Sequence, residues 1–258
     1  MTDFRLGFIG TGAITKAVVT GLCQSSFHLT SVVLSPRNAQ VAASLASIDE
    51  RVSVGASNQD VVDRSDVVCI AVLPKLAPDA VNALKFSPRQ TVISFVAGWP
   101  LDEVKRAVDA DVGIARAIPL PATAQGNGST VIYPPNEHAA AMFASIGAAV
   151  EVTDETQFDA FSAITATMAS YYAFMEVQAQ WLAQHGVPYE KARTFLAGYH
   201  DGLGRLALSG DDAFTELARE CTTEGGINEL MHRTLEKEGV FRQYGAALDA
   251  VWKRLEKS

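Results

Sequence analysis

Residues 4–15 read FRLGFIGTGAIT, and the order of their parts decides the fold. An apolar strand carrying Leu6, Phe8 and Ile9 runs into Gly10-Thr11-Gly12, and a helix-like stretch follows over 13–23. A dinucleotide-binding turn needs this succession of strand, glycine turn and helix. Gly10 permits the tight turn and Gly12 lets the backbone approach a pyrophosphate. The helix that starts at Ala13 and Ile14 points its N-terminus at the phosphates. A glycine pattern alone is weak, and its neighbours supply the context that supports it. Thr15 stands where Gly or Ala usually allows close helix–strand packing, so the third small position is imperfect. A glycine-rich turn of some other α/β protein is the alternative.

The next strand, 30–34, ends in Ser35-Pro36-Arg37. An NAD site usually carries an Asp or Glu here to hold the ribose 2′-hydroxyl. This chain has a hydroxyl and a guanidinium instead. Arg37 can meet a 2′-phosphate with a bidentate fork, and Ser35 can donate a further hydrogen bond. NADP(H) is therefore expected over NAD(H). The alternative is a solvated Arg on the first turn of a helix.

A chain of 258 residues can bury a sizeable core in one large or two modest domains. Its net charge of −8 argues against a nucleic-acid surface. Cys23, Cys69 and Cys221 are too far apart to read as a metal or redox set. No apolar run is long enough to span a bilayer; 139–150 comes nearest. The N-terminus moves directly into a strand, so no signal peptide is expected and a reducing cytoplasm is the default location.

Strand-like segments at 4–9, 30–34, 67–72, 92–96, 113–118 and 130–133 alternate with helix-like ones at 13–23, 38–47, 58–63, 75–84 and 101–108. Such alternation implies a parallel sheet covered on both faces, with ligands beyond the carboxyl ends of the strands. The informative loops follow Val72, Val96 and Ile118. From about Thr153 the strands cease. A helix capped by Asp154 is expected to reach about His185, and further helices are expected over 188–208, 211–219 and 226–256. The reading is an α/β fold in which an N-terminal Rossmann dinucleotide-binding domain (1–152) precedes an all-helical C-terminal dimerisation domain (153–258). The first long helix is apolar around much of its surface, with Phe158, Phe161, Ile164, Met168, Tyr171, Tyr172, Phe174, Met175, Trp181 and Leu182. A helix of this kind must be buried. About a hundred remaining residues cover it poorly, so a second copy is expected, giving a homodimer through these helices or a higher oligomer; a monomeric helical cap is the alternative.

The chain resembles the pyrroline-5-carboxylate reductases, NAD(P)H-dependent enzymes that make proline from a cyclic imine. The likeness rests on GFIGTGAIT (7–15), Ser35-Pro36-Arg37, Ala71-Val72-Leu73-Pro74 and Ser94-Phe95-Val96-Ala97-Gly98. It continues through Arg116-Ala117-Ile118-Pro119, Gly126-Asn127-Gly128, Thr222-Thr223-Glu224-Gly225-Gly226 and Leu235-Glu236-Lys237-Glu238-Gly239. The resemblance implies that Ala71, Val72 and Pro74 contact the ribose region of the cofactor and that Ser94, Ala97 and Gly98 lie near the nicotinamide. It also implies that Thr223, Glu224, Gly225, Gly226, Ile227 and Asn228, from the partner subunit, hold the substrate. A protonated imine is already electrophilic, so one hydrogen-bond donor near its nitrogen suffices. Thr223 and Asn228 are the candidates for that catalytic role.

Departures from the family pattern fall at the substrate. The Ser-Gly-Ser-Gly-Pro-Ala-Tyr loop becomes Thr165-Ala166-Thr167-Met168-Ala169-Ser170-Tyr171, which favours continuing helix. Glu224 replaces a proline and sets an anion beside a site that in the family receives a carboxylate. It would repel such a group or attract a cationic one; alternatively it favours the dipole of the helix that follows. Three functions are therefore weighed: an NADPH-dependent imine reductase, a reductase of another imine or small carbonyl compound, and a non-catalytic NADP(H) sensor. The five histidines show no metal-ligand spacing, so no metal is expected. His200-Asp201 reads as a solvated pair, and Glu176 interrupts an apolar helix as an interface ion or a substrate contact.

Overall fold

The first strand, β1 (Phe4–Ile9), is buried from Leu6 to Ile9 and carries paired strands on both sides. A strand covered on both faces takes a continuous apolar run rather than an alternating one. The computed structural model describes residues 4–255 and separates into two units, the first closing at Ser162 and the second beginning at Ala163.

In the first unit the remaining strands are β2 (Leu29–Leu34), β3 (Val52–Val54), β4 (Val67–Ile70), β5 (Thr91–Ser94), β6 (Gly113–Ile118), β7 (Ser129–Tyr133) and β8 (Ala148–Glu151). They form one sheet in the order β3-β2-β1-β4-β5-β6-β7-β8. Pairing is parallel from β3 to β6. β7 runs antiparallel to β6, and β8 is parallel to β7. The wholly parallel sheet expected from the alternation is thus corrected at its far edge. Only a short 3-10 turn, Pro121–Gln125, lies between β6 and β7. A parallel return needs a crossover of a dozen or more residues, usually a helix.

Helices α1 (Ala13–Gln24), α2 (Ala39–Ala46), α3 (Asn58–Asp63), α4 (Ala77–Val81), α5 (Leu101–Val108) and α6 (Glu137–Ala144) link the strands. Leu6, Phe8, Leu22, Cys69, Ile93 and Phe143 fill one core, while Ile9, Val33, Val61 and Val68 belong to a second. Each fully buried Leu, Ile or Phe contributes about 1.5–3 kcal/mol. Strands β4 and β5 stop two residues short of the expected ends, so Ala71-Val72 and Phe95-Val96 already belong to loops. The helix expected over 75–84 is a 3-10 turn (Pro74–Leu76) followed by α4. The first unit also extends past 152, because α7 (Glu155–Thr165) begins by packing Phe158 against Val131 and Val152.

The second unit holds the end of α7 and then α8 (Met168–Gln184), α9 (Tyr189–Leu208), α10 (Phe214–Glu220), α11 (Ile227–Lys237) and α12 (Val240–Leu255). The single helix expected over 154–185 is two. It breaks at Ala166-Thr167, although the sequence there has neither Gly nor Pro. Ala166 N–H donates to Ala163 O and Thr167 N–H to Ile164 O, both in 3-10 fashion. The Thr167 hydroxyl also donates to Ile164 O at 2.8 Å. A threonine side chain that competes for a helix carbonyl favours an interruption. The segment expected over 226–256 is likewise divided at Glu238-Gly239. Buried apolar side chains of this unit are few: Ala163, Ala179, Ala192 and Leu196. Trp181, Tyr172 and Phe195 are 56%, 67% and 64% exposed, so one chain leaves the apolar face of α8 and α9 uncovered. No helix among the described residues is long and apolar enough to cross a membrane.

Gly21 gives a test of close packing. A Cβ built there would meet Thr123 O at 2.2 Å and Ile146 Cγ2 at 3.2 Å. Helix propensity alone says Gly21→Ala stabilises by about 1 kcal/mol. The contact reverses the sign, and we expect a loss of about 1–3 kcal/mol, read as a fall in the thermal unfolding temperature.

Candidate functional site

The turn between β1 and α1 is held from two sides. Gly10 has φ +102°, and a Cβ there would lie 2.3 Å from Ala71 O in the loop after β4. Only glycine fits both the backbone angle and the approach. Gly10 N–H donates to Ser35 Oγ at 2.9 Å, and the Thr15 hydroxyl donates to Gly10 O at 2.7 Å. Thr15 is fully buried. The imperfect third position of the glycine pattern is thus a hydroxyl bonded to the first.

Gly12 is the N-cap of α1, is exposed, and has no atom within 4 Å of a built Cβ. No side chain caps α1, so its first N–H groups are open to an acceptor. Their partial positive charge suits an anion. The Thr11 hydroxyl is buried and, among the described residues, has no hydrogen-bond partner. Gly10, Thr11 and Gly12 line an open cleft of about 460 Å³ together with Arg37, Ala71 and Val72. Leu73, part of the Ala71–Pro74 segment singled out in the sequence, completes it together with Asn38, Ala39 and Leu76, which escaped the sequence reading. The signal for Asn38 was present, since it caps α2 by accepting from Val41 N–H at 3.4 Å. Arg37 is exposed and makes no ion pair among the described residues. A glycine cradle, an open helix N-terminus, an unpaired buried hydroxyl and a free guanidinium together fit a phosphorylated dinucleotide.

The other expected cofactor residues lie elsewhere in the first unit. Ser35 is 1% exposed and sits beneath the turn it supports rather than in the cleft. Ala13 and Pro74 are exposed and Ile14 is half-buried. Ser94 is buried at the end of β5, where its Oγ accepts from Val96 N–H at 3.3 Å. Ala97 and Gly98 are exposed in the loop that follows.

The expected substrate residues form the loop of the second unit that leads into α11 (Thr223–Gly226) and the first two residues of that helix, Ile227 and Asn228. Gly226 N–H donates to Thr223 O at 2.9 Å and Gly225 N–H to Glu229 Oε2 at 2.7 Å. Asn228 Nδ2 donates to Cys221 O at 2.8 Å. The loop is therefore tied internally, and Ile227 stands 86% exposed at its end. Glu224 is exposed and has no hydrogen-bond or ion-pair partner among the described residues. His200 and Asp201 are not a dyad: His200 Nε2 faces Gln178 Oε1 at 3.3 Å, and Asp201 binds Arg205 at 2.8 Å. Glu176 accepts from Tyr189 and from Gln180, each at 2.6 Å.

One cluster was missed as a site. Arg116, 3% exposed on β6, donates from Nη1 to Glu155 Oε1 at 2.6 Å and to Asp159 Oδ1 at 3.3 Å. Its guanidinium carbon lies 4.3 Å from the centre of the Phe158 ring. Burial raises the Asp159 carboxyl above its usual range; Arg116 opposes this and the Glu155 charge adds to it. The signal was an arginine inside the apolar strand GIARAI.

Comparison with known proteins places both units. Residues 5–98 match the family model described as NADP oxidoreductase, coenzyme F420-dependent. Residues 155–258 match the one described as pyrroline-5-carboxylate reductase dimerisation. A pyrroline-5-carboxylate reductase of Escherichia coli is 28% identical, over 98% of this chain and 97% of its own. One from Pseudomonas aeruginosa is 25% identical, over 98% and 96%. The fold is shared with a Plasmodium falciparum pyrroline carboxylate reductase with NADP bound, at a TM-score of 0.84 and 19% identity over 100% of this chain and 98% of that one.

The support under the turn can be measured. Ser35→Ala leaves the Gly10 N–H without its acceptor, and an unsatisfied buried donor costs about 1–3 kcal/mol. We expect a lower unfolding temperature together with weaker dinucleotide binding; an unchanged unfolding temperature would contradict the role drawn here.

Proposed function

Because this chain belongs to the pyrroline-5-carboxylate reductase family, we propose that it reduces a cyclic imine with NADPH in preference to NADH. The observation that carries the cofactor reading is the single cleft shared by the Gly10–Gly12 backbone and Arg37. In this reading the turn and the start of α1 hold the pyrophosphate, with Ala13 and Ile14 in the first helical turn. Arg37 takes the 2′-phosphate, where its fork forms charge-assisted hydrogen bonds. Ala71, Val72 and Pro74 border the ribose, and Ser94, Ala97 and Gly98 border the nicotinamide. Ser35 acts through the turn.

The cofactor, when bound, supplies two electrons and one hydrogen to the imine carbon. The C=N double bond would thereby become a C–N single bond, with the proton on the nitrogen supplied from solvent. The residues' task is to hold the imine in place and exclude water. Asn228 suits the role of hydrogen-bond donor to the imine nitrogen. One of its two amide hydrogens is fixed on Cys221 O, which orients the other. The Thr223 hydroxyl is the second candidate. Glu224, Gly225, Gly226 and Ile227 shape the same substrate loop.

A second reading keeps the reaction and changes the substrate to an imine without a carboxylate. The state of the substrate loop favours it: Glu229 already occupies Gly225 N–H, and Glu224 adds an unpaired negative charge. We further propose that the exposed apolar face of α8 and α9 is covered by a second copy, giving a homodimer. A reducing cytoplasm suits the three free cysteines.

NADPH oxidation by the purified protein should separate these readings when pyrroline-5-carboxylate is compared with 1-pyrroline, which lacks the carboxylate. Preference for the first supports the proline-forming reaction, and preference for the second supports the altered substrate. NADPH binding with no turnover of either would leave a nucleotide sensor and end the reductase reading. Arg37→Ala should weaken NADPH by about 1.5–3 kcal/mol, roughly ten- to a hundredfold, and leave NADH within about twofold. Sedimentation at micromolar concentration should give twice the protomer mass, and a monomer would refute the dimer.

A further inference from the structure

We infer that Arg116 and Glu155 are positioning residues that fix the loop 95–100 against the nicotinamide end of the cofactor; this rests on the cofactor reading above. The loop leaves β5 at Ser94 and enters α5 at Leu101, and both ends are tied to Arg116. At the first end, Ser94 pairs in register with Arg116 across β5 and β6. At the second end, Leu101 N–H donates to Glu155 Oε1 at 2.7 Å, and the same oxygen accepts from Arg116 Nη1 at 2.6 Å. Residue 116 thus meets the strand end through its backbone and the helix start through its side chain by way of Glu155.

The helix needs this partner. Its N-cap is Pro100, which offers no side-chain acceptor. Leu101 is 5% exposed, so its N–H has little access to water. A carboxylate at a helix N-terminus satisfies that donor and favours the dipole. Glu155 is also anchored by Arg116, which is 3% exposed and seated over Phe158. The clamp therefore has a fixed base, while Ala97 and Gly98 at its tip remain exposed. Asp159 is the other charged group facing Arg116, and it sits farther off at 3.3 Å. Loss of the Glu155 oxygen would free the helix start and let the loop tip shift. A displacement of about 1 Å at a reacting centre lowers rate by up to a hundredfold.

The test separates the two ends of the cofactor. Removing Glu155 alone would leave the buried Arg116 with Asp159 at 3.3 Å as its remaining ion-pair partner, so two double variants are compared in which the arginine charge is replaced by an apolar side chain. Arg116→Met with Glu155→Gln keeps an oxygen for Leu101 N–H. Arg116→Met with Glu155→Ala does not. Binding of NADPH and of 2′,5′-ADP, which carries only the adenosine end, is measured by titration of the full chain. We expect 2′,5′-ADP to bind all three proteins within about twofold. NADPH should bind the glutamine double variant, which has lost the Arg116 anchor, about threefold more weakly than the parent and the alanine double variant about tenfold more weakly, with a matching fall in kcat; a glutamine double variant equal to the parent would remove Arg116 from the inference. Equal NADPH affinity in the two double variants would overturn the inference. So would parallel loss of both ligands, which marks general damage to the first unit. If the parent protein bound neither ligand, the cofactor reading itself would fall.

Discussion

The carbonyl oxygen of Ala71 lies where a side chain on residue 10 would begin, 2.3 Å from a Cβ built there. Everything around the dinucleotide cleft depends on that approach. It requires glycine at 10, and glycine has no side chain with which to hold the turn. The hold comes from its backbone instead: Ser35 receives the N–H and Thr15 donates to the carbonyl. Both hydroxyls are buried beneath the surface that faces the cleft. The turn is therefore fixed before any ligand arrives, and little ordering free energy is lost when one binds. The same arrangement frees Gly12 and the first turn of α1 from structural duties, so their N–H groups can serve an anion.

The second unit answers to a different constraint. About a hundred residues in five helices bury only small or isolated side chains within themselves, while Trp181, Tyr172, Val177 and Phe195 stay open. A unit of this size with so thin an interior is marginal alone. Covering that face by association would supply the missing interior, and the match of 155–258 to a dimerisation family accords with oligomer formation. It also explains why α8 is apolar nearly all round, a pattern that has no use in a helix with one solvated face.

Legibility followed the strength of local signals. Strands β1, β2, β5 and β6 announced themselves because each is a run of apolar or β-branched residues bounded by turns. β3 has three residues and β8 is an edge strand with exposed ends, and neither rises above its surroundings in sequence. The reversal at β7 was hidden for another reason: direction is set by the length of a connection, not by the strand itself. The helix break at Ala166-Thr167 misled because the usual breakers are gone, while the hydroxyl of Thr167 does their work through a side-chain bond. Gly10, Gly12 and Arg37 line one cleft, and the glycines were legible because the backbone at the turn restricts the residue type. Ser35 could be placed but not oriented; nothing in Ser-Pro-Arg tells whether the hydroxyl points outward or under the turn.

Arg116 shows why the long-range part of a site stays hidden. Its partners are 39 and 43 positions away, and the helix start that shares Glu155 is 54 positions from it. No local pattern encodes those meetings. Yet a guanidinium inside GIARAI is itself informative, because burying that charge is unfavourable unless it is paired. A well-packed apolar residue at 116 would serve a purely structural strand as well or better. What an apolar residue could not do is hold a carboxylate at a fixed height beneath a helix start. The buried charge holds the carboxylate that caps the start of α5, and it is through that cap that the inferred control of the preceding loop would act.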